Sequence, residues 1–159
     1  MNIVFQPIGV IHSPFTSLEG MPIQPGSAAA AEGYLEVSAR YQDGLKDLDG
    51  FSHVILLYHF HHVSNSKLLV RPFLDEEPRG VFATRAPIRP NPVGLSVVQI
   101  LRIEGPRIYL ANVDVLDGTP LLDIKPYVPQ FDQPENVHIG WLQGKSDQLS
   151  EKESDARFK

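Results

Sequence analysis

A chain of 159 residues is long enough to bury a core as one domain, and 42% hydrophobic against 21% charged residues is ordinary for a globular protein. The absence of cysteine excludes disulfides, thiolate chemistry and cysteine-ligated zinc, and favours a cytoplasmic setting. A net charge of −5 argues against a non-specific nucleic-acid binder, and no apolar run approaches a membrane span or the core of a secretory leader.

In chain order, "QPIGVIHSPF" predicts a strand to His12, stopped by Ser13-Pro14. Residues 16–33 are turn-rich, with Gly20, Pro22, Pro25 and Gly26, and read as an ordered loop. "YLEV" (Tyr34 to Val37) predicts a short strand. Ser38 is then placed to cap a helix that presents Tyr41, Leu45 and Leu48 on one face and ends at Gly50. "FSHVILLYHFHHV" (Phe51 to Val63) is the strongest strand signal. Residues 64–84 read mostly as loop, with "GVFAT" (Gly80 to Thr84) a short strand.

"RAPIRPNPVGLS" follows, in which Pro87, Pro90 and Pro92 have fixed φ and no N–H. This segment predicts a stiff, extended arm with a largely unpaired backbone, holding Arg85 and Arg89 about 12 Å apart. Gly94 allows a change of direction into a strand over Leu95 to Ile103. "RIYLANVDVL" (Arg107 to Leu116) pairs with it through a Gly-Pro turn, Asp117-Gly118 makes another turn, and "PLLDIKPYV" returns as a strand interrupted by Pro126. The result is one domain over residues 1–142 and a polar tail over 143–159. Many short strands and few helices predict a mainly-β domain, a barrel or a strongly curved sheet, with one or two short helices.

Between Arg79 and Arg107 five arginines stand against one acid, Glu104; this local charge of +4 leaves −9 for the rest and suits a limited contact with an anionic ligand. Histidines crowd the end of the long strand. Alternation places His59 and His61 on one face and His62 on the other. Two histidines about 6.6 Å apart need a third metal ligand, and none stands at a suitable spacing, so no metal is expected; pocket-lining and plain strand-end roles both remain open. In the last strand Asp123, Lys125 and Tyr127 alternate with Leu122, Ile124 and Val128, which predicts one core face and one face bearing an acid, a base and a phenol. Neither a phosphate-binding glycine fingerprint nor a G-x-S-x-G elbow occurs. From spacing alone the chain carries a polar site near Arg85, His61 and the stretch from Asp114 to Tyr127.

"RGVFATRAPIRPNPVGLS" and "DVLDGTPLLDIKPYVP", with "PIGVIHSPF" and "GLKDLDGFSHVILLYHFHH", resemble the TrmO family, also called YaeB or VirR-like. These are S-adenosylmethionine-dependent methyltransferases that modify N6-threonylcarbamoyladenosine beside the anticodon of tRNA. The resemblance runs from about Pro7 to Trp141. It implies a single-sheet β-barrel and a homodimer with S-adenosylmethionine near the subunit interface. Carried over by motif, the cofactor contacts fall on Pro22, Ile23, Gln24, His61, His62, Arg85, Leu95, Ala111, Asn112, Val113 and Asp114. The family often has arginine where this chain has Ile23 and a polar residue such as glutamine where it has His62. Many bacterial members also carry a further C-terminal domain, so RNA affinity here is expected from the barrel and its arginines.

Beside the cofactor, Arg89, Asn91 and Asp123 are the expected substrate contacts, with Arg89 reaching an RNA phosphate or the threonylcarbamoyl carboxylate. Asp114 and Asp117 are the candidate general bases, and Lys125 and Tyr127 the groups that orient the modified base. The alternative is a cofactor-binding barrel acting on another RNA or a small molecule, or a regulator without catalysis.

Overall fold

The computed structural model describes residues 1–19, 21 and 31–145. Six strands close into one antiparallel barrel: β1 (Gly9–His12), β2 (Ala31–Val37), β3 (His53–His59), β6 (Val93–Glu104), β7 (Arg107–Val113) and β8 (Thr119–Pro126). Their order around the barrel is β1-β2-β7-β6-β3-β8. Closure leaves the barrel sheet without free edges. A separate ribbon, β4 (Leu69–Val70) with β5 (Arg79–Gly80), stands beside the barrel.

The core follows from strand alternation. On β3, Val54, Leu56 and Tyr58 point inward while His53, Ile55 and Leu57 are only half-buried. Ile11, Leu35, Val98, Ile108, Leu110 and Leu121 fill the interior from the other strands. Each such side chain contributes about 1.5–3 kcal/mol on burial.

Four expectations are corrected. The helix after Ser38 is two 3-10 segments, Ala39–Leu45 and Leu48–Gly50, broken where Asp47 takes φ 65°. Ser38 makes no capping side-chain bond, yet Tyr41, Leu45 and Leu48 still pack on the core at the end where β3 begins. Residues Gly80 to Thr84 form the end of β5 and a 3-10 turn over Val81–Ala83, not a strand. β2 starts at Ala31, inside the stretch read as loop. A side chain at Gly33 would collide with the His12 carbonyl, so this glycine marks close strand approach.

The proline arm is the fourth correction. It is irregular but curled, not extended: Arg89 N–H donates to Pro87 O at 2.9 Å and Val93 N–H to Asn91 O at 2.8 Å, two tight three-residue turns. Prolines lack N–H groups but keep carbonyls, and Pro92 O accepts from Phe60 N–H at 2.8 Å. Ala86 and Ile88 are buried with Val70 and Val81 in a second apolar cluster. The arm is rigid because it is anchored at those two side chains.

Candidate active site

At the end of the barrel where β3 finishes and β6 begins lies a cavity of about 920 Å³, large enough for a nucleoside-sized ligand. One wall is the arm, through Arg85, Pro87, Arg89 and Asn91. Phe73, Phe82 and Trp141 also line it, and the barrel end supplies Tyr58, Gly94 and Asp114.

Gly94 is there because Tyr58 lies directly across from it in the β3–β6 register. A Cβ at Gly94 would enter the Tyr58 ring and come within 2.8 Å of Phe60 Cζ. Tyr58 and Phe60 meet edge to face at 5.5 Å, which fixes the phenol. Its hydroxyl lies 2.9 Å from Ser96 Oγ, and Ser96 donates to Asp114 Oδ1 at 2.7 Å.

Asp114 is aimed by a bulge. β7 advances three positions, from Leu110 to Val113, where β2 advances two, from Gly33 to Ala31. Asn112 takes φ 63° at that point, a conformation asparagine tolerates better than most residues. Burial pushes the Asp114 carboxyl up to about 6, against the Ser96 hydrogen bond and the Arg85 charge, which both lower it. Burial also pushes the Tyr58 phenol well above its ordinary range, with the Asp114 charge adding to it. His61 is pushed down, first by burial and then by neighbouring His62, and so favours the neutral form.

Of the residues singled out from the sequence, His61, His62, Arg85, Arg89, Asn91, Leu95 and Asp114 come together on the cavity. Pro22, Ile23 and Gln24 lie outside the described residues. His61 and His62 do not face opposite ways: β3 ends at His59, and the two rings sit 4.2 Å apart in the turn beyond it. No group of three metal-ligating side chains occurs among the described residues. Val113 is buried in the barrel, and neither it nor Ala111 and Asn112 lines the cavity; they set the direction of Asp114.

Asp117, Asp123, Lys125 and Tyr127 are not brought to the cavity. Asp117 Oδ1 accepts from Ser13 N–H at 3.1 Å and lies 3.4 Å from His12 Nδ1, so it fastens the end of β1. The β3–β8 register shifts between Leu57 and Tyr58, and Leu122 is the extra residue. The shift turns Leu121 and Thr119 inward and leaves Asp123 and Lys125 paired at 2.8 Å, Lys125 exposed and Asp123 half-buried. Tyr127 N–H bonds to His53 O near the start of β3, toward the far end of the barrel.

The arginine-rich stretch is largely neutralised in space. Asp75 holds Arg79 at 2.6 Å, Glu104 holds Arg102 at 2.7 Å and Glu36 holds Arg107 at 3.0 Å. Arg89 Nη1 turns back onto Thr84 O and Ala86 O at 3.2 and 3.4 Å, pinning the arm.

Two cavity residues, Tyr58 and Trp141, and the buried Ser96 that bonds to Asp114, went unnoticed in the sequence. Tyr58 and Ser96 were legible as the polar members of otherwise apolar inward positions. Trp141 gave no periodic signal; its Nε1–H donates to Ala83 O at 2.8 Å, and nearby Lys145 reaches Asp75 at 3.0 Å.

Fold and site together define an antiparallel β-barrel with a ligand cavity at its strand ends, a different architecture from the parallel-sheet nucleotide folds. The family model of the tRNA-methyltransferase O N-terminal domain matches residues 10–133, and the chain belongs to that family. A Pyrococcus abyssi protein named "Probable S-adenosyl-L-methionine-binding protein" is 53% identical over 158 residues, 99% of this chain and 86% of that one. The tRNA (adenine(37)-N6)-methyltransferase of Homo sapiens is 38% identical over 143 residues, 86% of this chain and 32% of the human protein. The crystal structure of TrmO from Pseudomonas aeruginosa matches with a TM-score of 0.73 at 40% identity, over 89% of this chain and 63% of that one. The chain thus spans about a third of the human relative and under two thirds of the bacterial one.

Proposed function

We propose that the chain is an S-adenosylmethionine-dependent tRNA methyltransferase that places a methyl group on N6 of N6-threonylcarbamoyladenosine next to the anticodon. The observation that carries this reading is a half-buried carboxylate, Asp114, on a nucleoside-sized cavity in a barrel of the TrmO family. The names of the human and Pyrococcus relatives support tRNA adenine as target and S-adenosylmethionine as donor.

The residues present fit that donor. Apolar and aromatic walls at Phe73, Phe82 and Leu95 suit an adenine ring and a thioether chain, and Arg85 offers a guanidinium for a carboxylate. S-adenosylmethionine supplies an electrophilic methyl group. The N6 nitrogen lies between a purine and a carbonyl, so its lone pair is delocalised and a base that takes the N–H proton assists by about 10²–10⁴-fold. Asp114 is that base, and Arg89 and Asn91 on the arm meet the threonylcarbamoyl carboxylate.

Phe82, Val93 and Leu95 line the cavity yet are 74%, 37% and 44% exposed. A second copy of the chain covering them makes a homodimer with the cofactor near the interface. A cysteine-free chain acting on tRNA belongs in the cytoplasm. No helix among the described residues is long and apolar enough to cross a membrane.

Transfer of labelled methyl from S-adenosylmethionine to tRNA, with and without the threonylcarbamoyl mark, tests the reading. Transfer that requires the mark is the expected result. The paired arginines favour a second reading, a cofactor-binding barrel acting on another RNA or a small molecule; cofactor binding without tRNA transfer selects it.

A further inference from the structure

Ser96 is 1% exposed, on the inward face of β6 opposite Leu56. A hydroxyl buried among Val54, Leu56 and Val98 costs stability unless it is fully hydrogen-bonded. Two partners satisfy it, and with Asp114 ionised the direction of both bonds is fixed. An ionised carboxylate only accepts, so the one Ser96 proton goes to Asp114 Oδ1 at 2.7 Å. The Tyr58 hydroxyl, 2.9 Å from Ser96 Oγ, must then donate to Ser96. Tyr58, Ser96 and Asp114 come from three different strands or strand ends, so the barrel itself sets their alignment.

Resting on the methyltransferase reading, we propose that Ser96 and Tyr58 are positioning residues for Asp114: a two-hydroxyl relay that holds Oδ1 and leaves Oδ2 to take the N6 proton. In the step itself the N6–CH₃ bond forms as the CH₃–S bond breaks. Sulfur keeps the electron pair of the broken bond, nitrogen keeps that of its N–H bond, and the proton passes to Asp114.

The groups facing Asp114 are Ser96 from β6, Tyr58 from β3 and Arg85 from the arm, with His61 and His62 on the same cavity. Ser96 and Arg85 both favour the ionised form and so oppose the effect of burial. Loss of the Ser96 proton therefore raises the Asp114 titration further. Loss of the Tyr58 hydroxyl acts in the same direction more weakly, because a hydroxyl that no longer accepts a bond also donates less well.

The test uses full-length wild type, Ser96→Ala, Ser96→Thr and Tyr58→Phe. Asp114 is titrated by carbon-13 carboxyl NMR without substrate, and single-turnover methyl transfer to tRNA is measured across pH. In Ser96→Ala the Asp114 midpoint and the acidic limb of the rate move up together by about one pH unit. Its pH-independent rate falls by about tenfold or more, and Ser96→Thr restores the limb. Tyr58→Phe keeps the ring in place and shifts both by less. A Ser96→Ala midpoint equal to wild type, or a rate loss that is the same at every pH, overturns the relay. If Ser96→Ala does not fold, an unmoved midpoint and limb in Tyr58→Phe overturn it instead. Absence of methyl transfer in wild type fails the functional reading separately; the NMR titration still decides whether Ser96 controls Asp114.

Discussion

Replacing Asp114 by asparagine should stabilise the fold at neutral pH while removing its chemistry. Burial lifts this carboxyl from 3.8 to about 6. That displacement corresponds to about 2–3 kcal/mol of differential interaction between its two protonation states. The sign follows from proton uptake. Between those two values the folded state holds a proton that the unfolded state has lost, so wild-type stability falls as pH rises through the interval. The asparagine side chain does not titrate, and its amide oxygen can still accept from Ser96. Wild type and Asp114→Asn should therefore differ by a fixed amount below about pH 4, with the variant gaining up to about 2–3 kcal/mol above pH 6. For a domain of this size that is about 4–12 °C in melting temperature. Thermal unfolding of the two proteins in matched buffers from pH 3.5 to pH 8 reads the difference directly, and the other titrating groups largely cancel. A gap that is constant across the range would refute the claim that Asp114 is held ionised against its burial. Methyl transfer by Asp114→Asn should fall by about 10²–10⁴-fold.

Gly94→Ala should cost about 1–3 kcal/mol in urea unfolding and weaken cofactor binding, because the added methyl enters the Tyr58 ring at the cavity floor. Arg85→Ala should weaken S-adenosylmethionine binding by about 1–3 kcal/mol in calorimetry if its guanidinium meets the cofactor; unchanged affinity would leave it a purely structural residue of the arm. Asn112→Val should destabilise by about 1–2 kcal/mol and lower methyl transfer at equal cofactor affinity, because φ 63° is strained for a β-branched residue and the bulge aims Asp114. Lys125→Ala should leave S-adenosylmethionine affinity as in wild type, since Lys125 and Asp123 form a pair away from the cavity; weakened affinity would place β8 in the site after all.

By itself the sequence determined what is local and periodic. The run "FSHVILLYHFHHV" assigned the strand that becomes β3, the turns after Glu104 and Leu116 assigned the β6–β7–β8 meander, and the crowded prolines marked a rigid arm bearing Arg85. It also determined that a conventional phosphate loop is absent, and its long motifs pointed to the family that residues 10–133 match. Tertiary structure decided whatever depends on parity and closure. The single extra residue at Leu122 breaks the alternation, so Leu121 and Thr119 turn inward at the cavity end while Asp123 and Lys125 keep an outer face further along β8. The bulge at Asn112 swings Asp114 onto Ser96 and Tyr58, residues 18 and 56 positions earlier in the chain. The arginines read as a basic patch meet Asp75, Glu104 and Glu36, and for Arg107 that partner lies 71 positions away in sequence. A pattern of period two carries no record of where a strand slips by one residue, nor of which distant carboxylate a charge will meet. Those follow only once the barrel closes and fixes every strand against two neighbours.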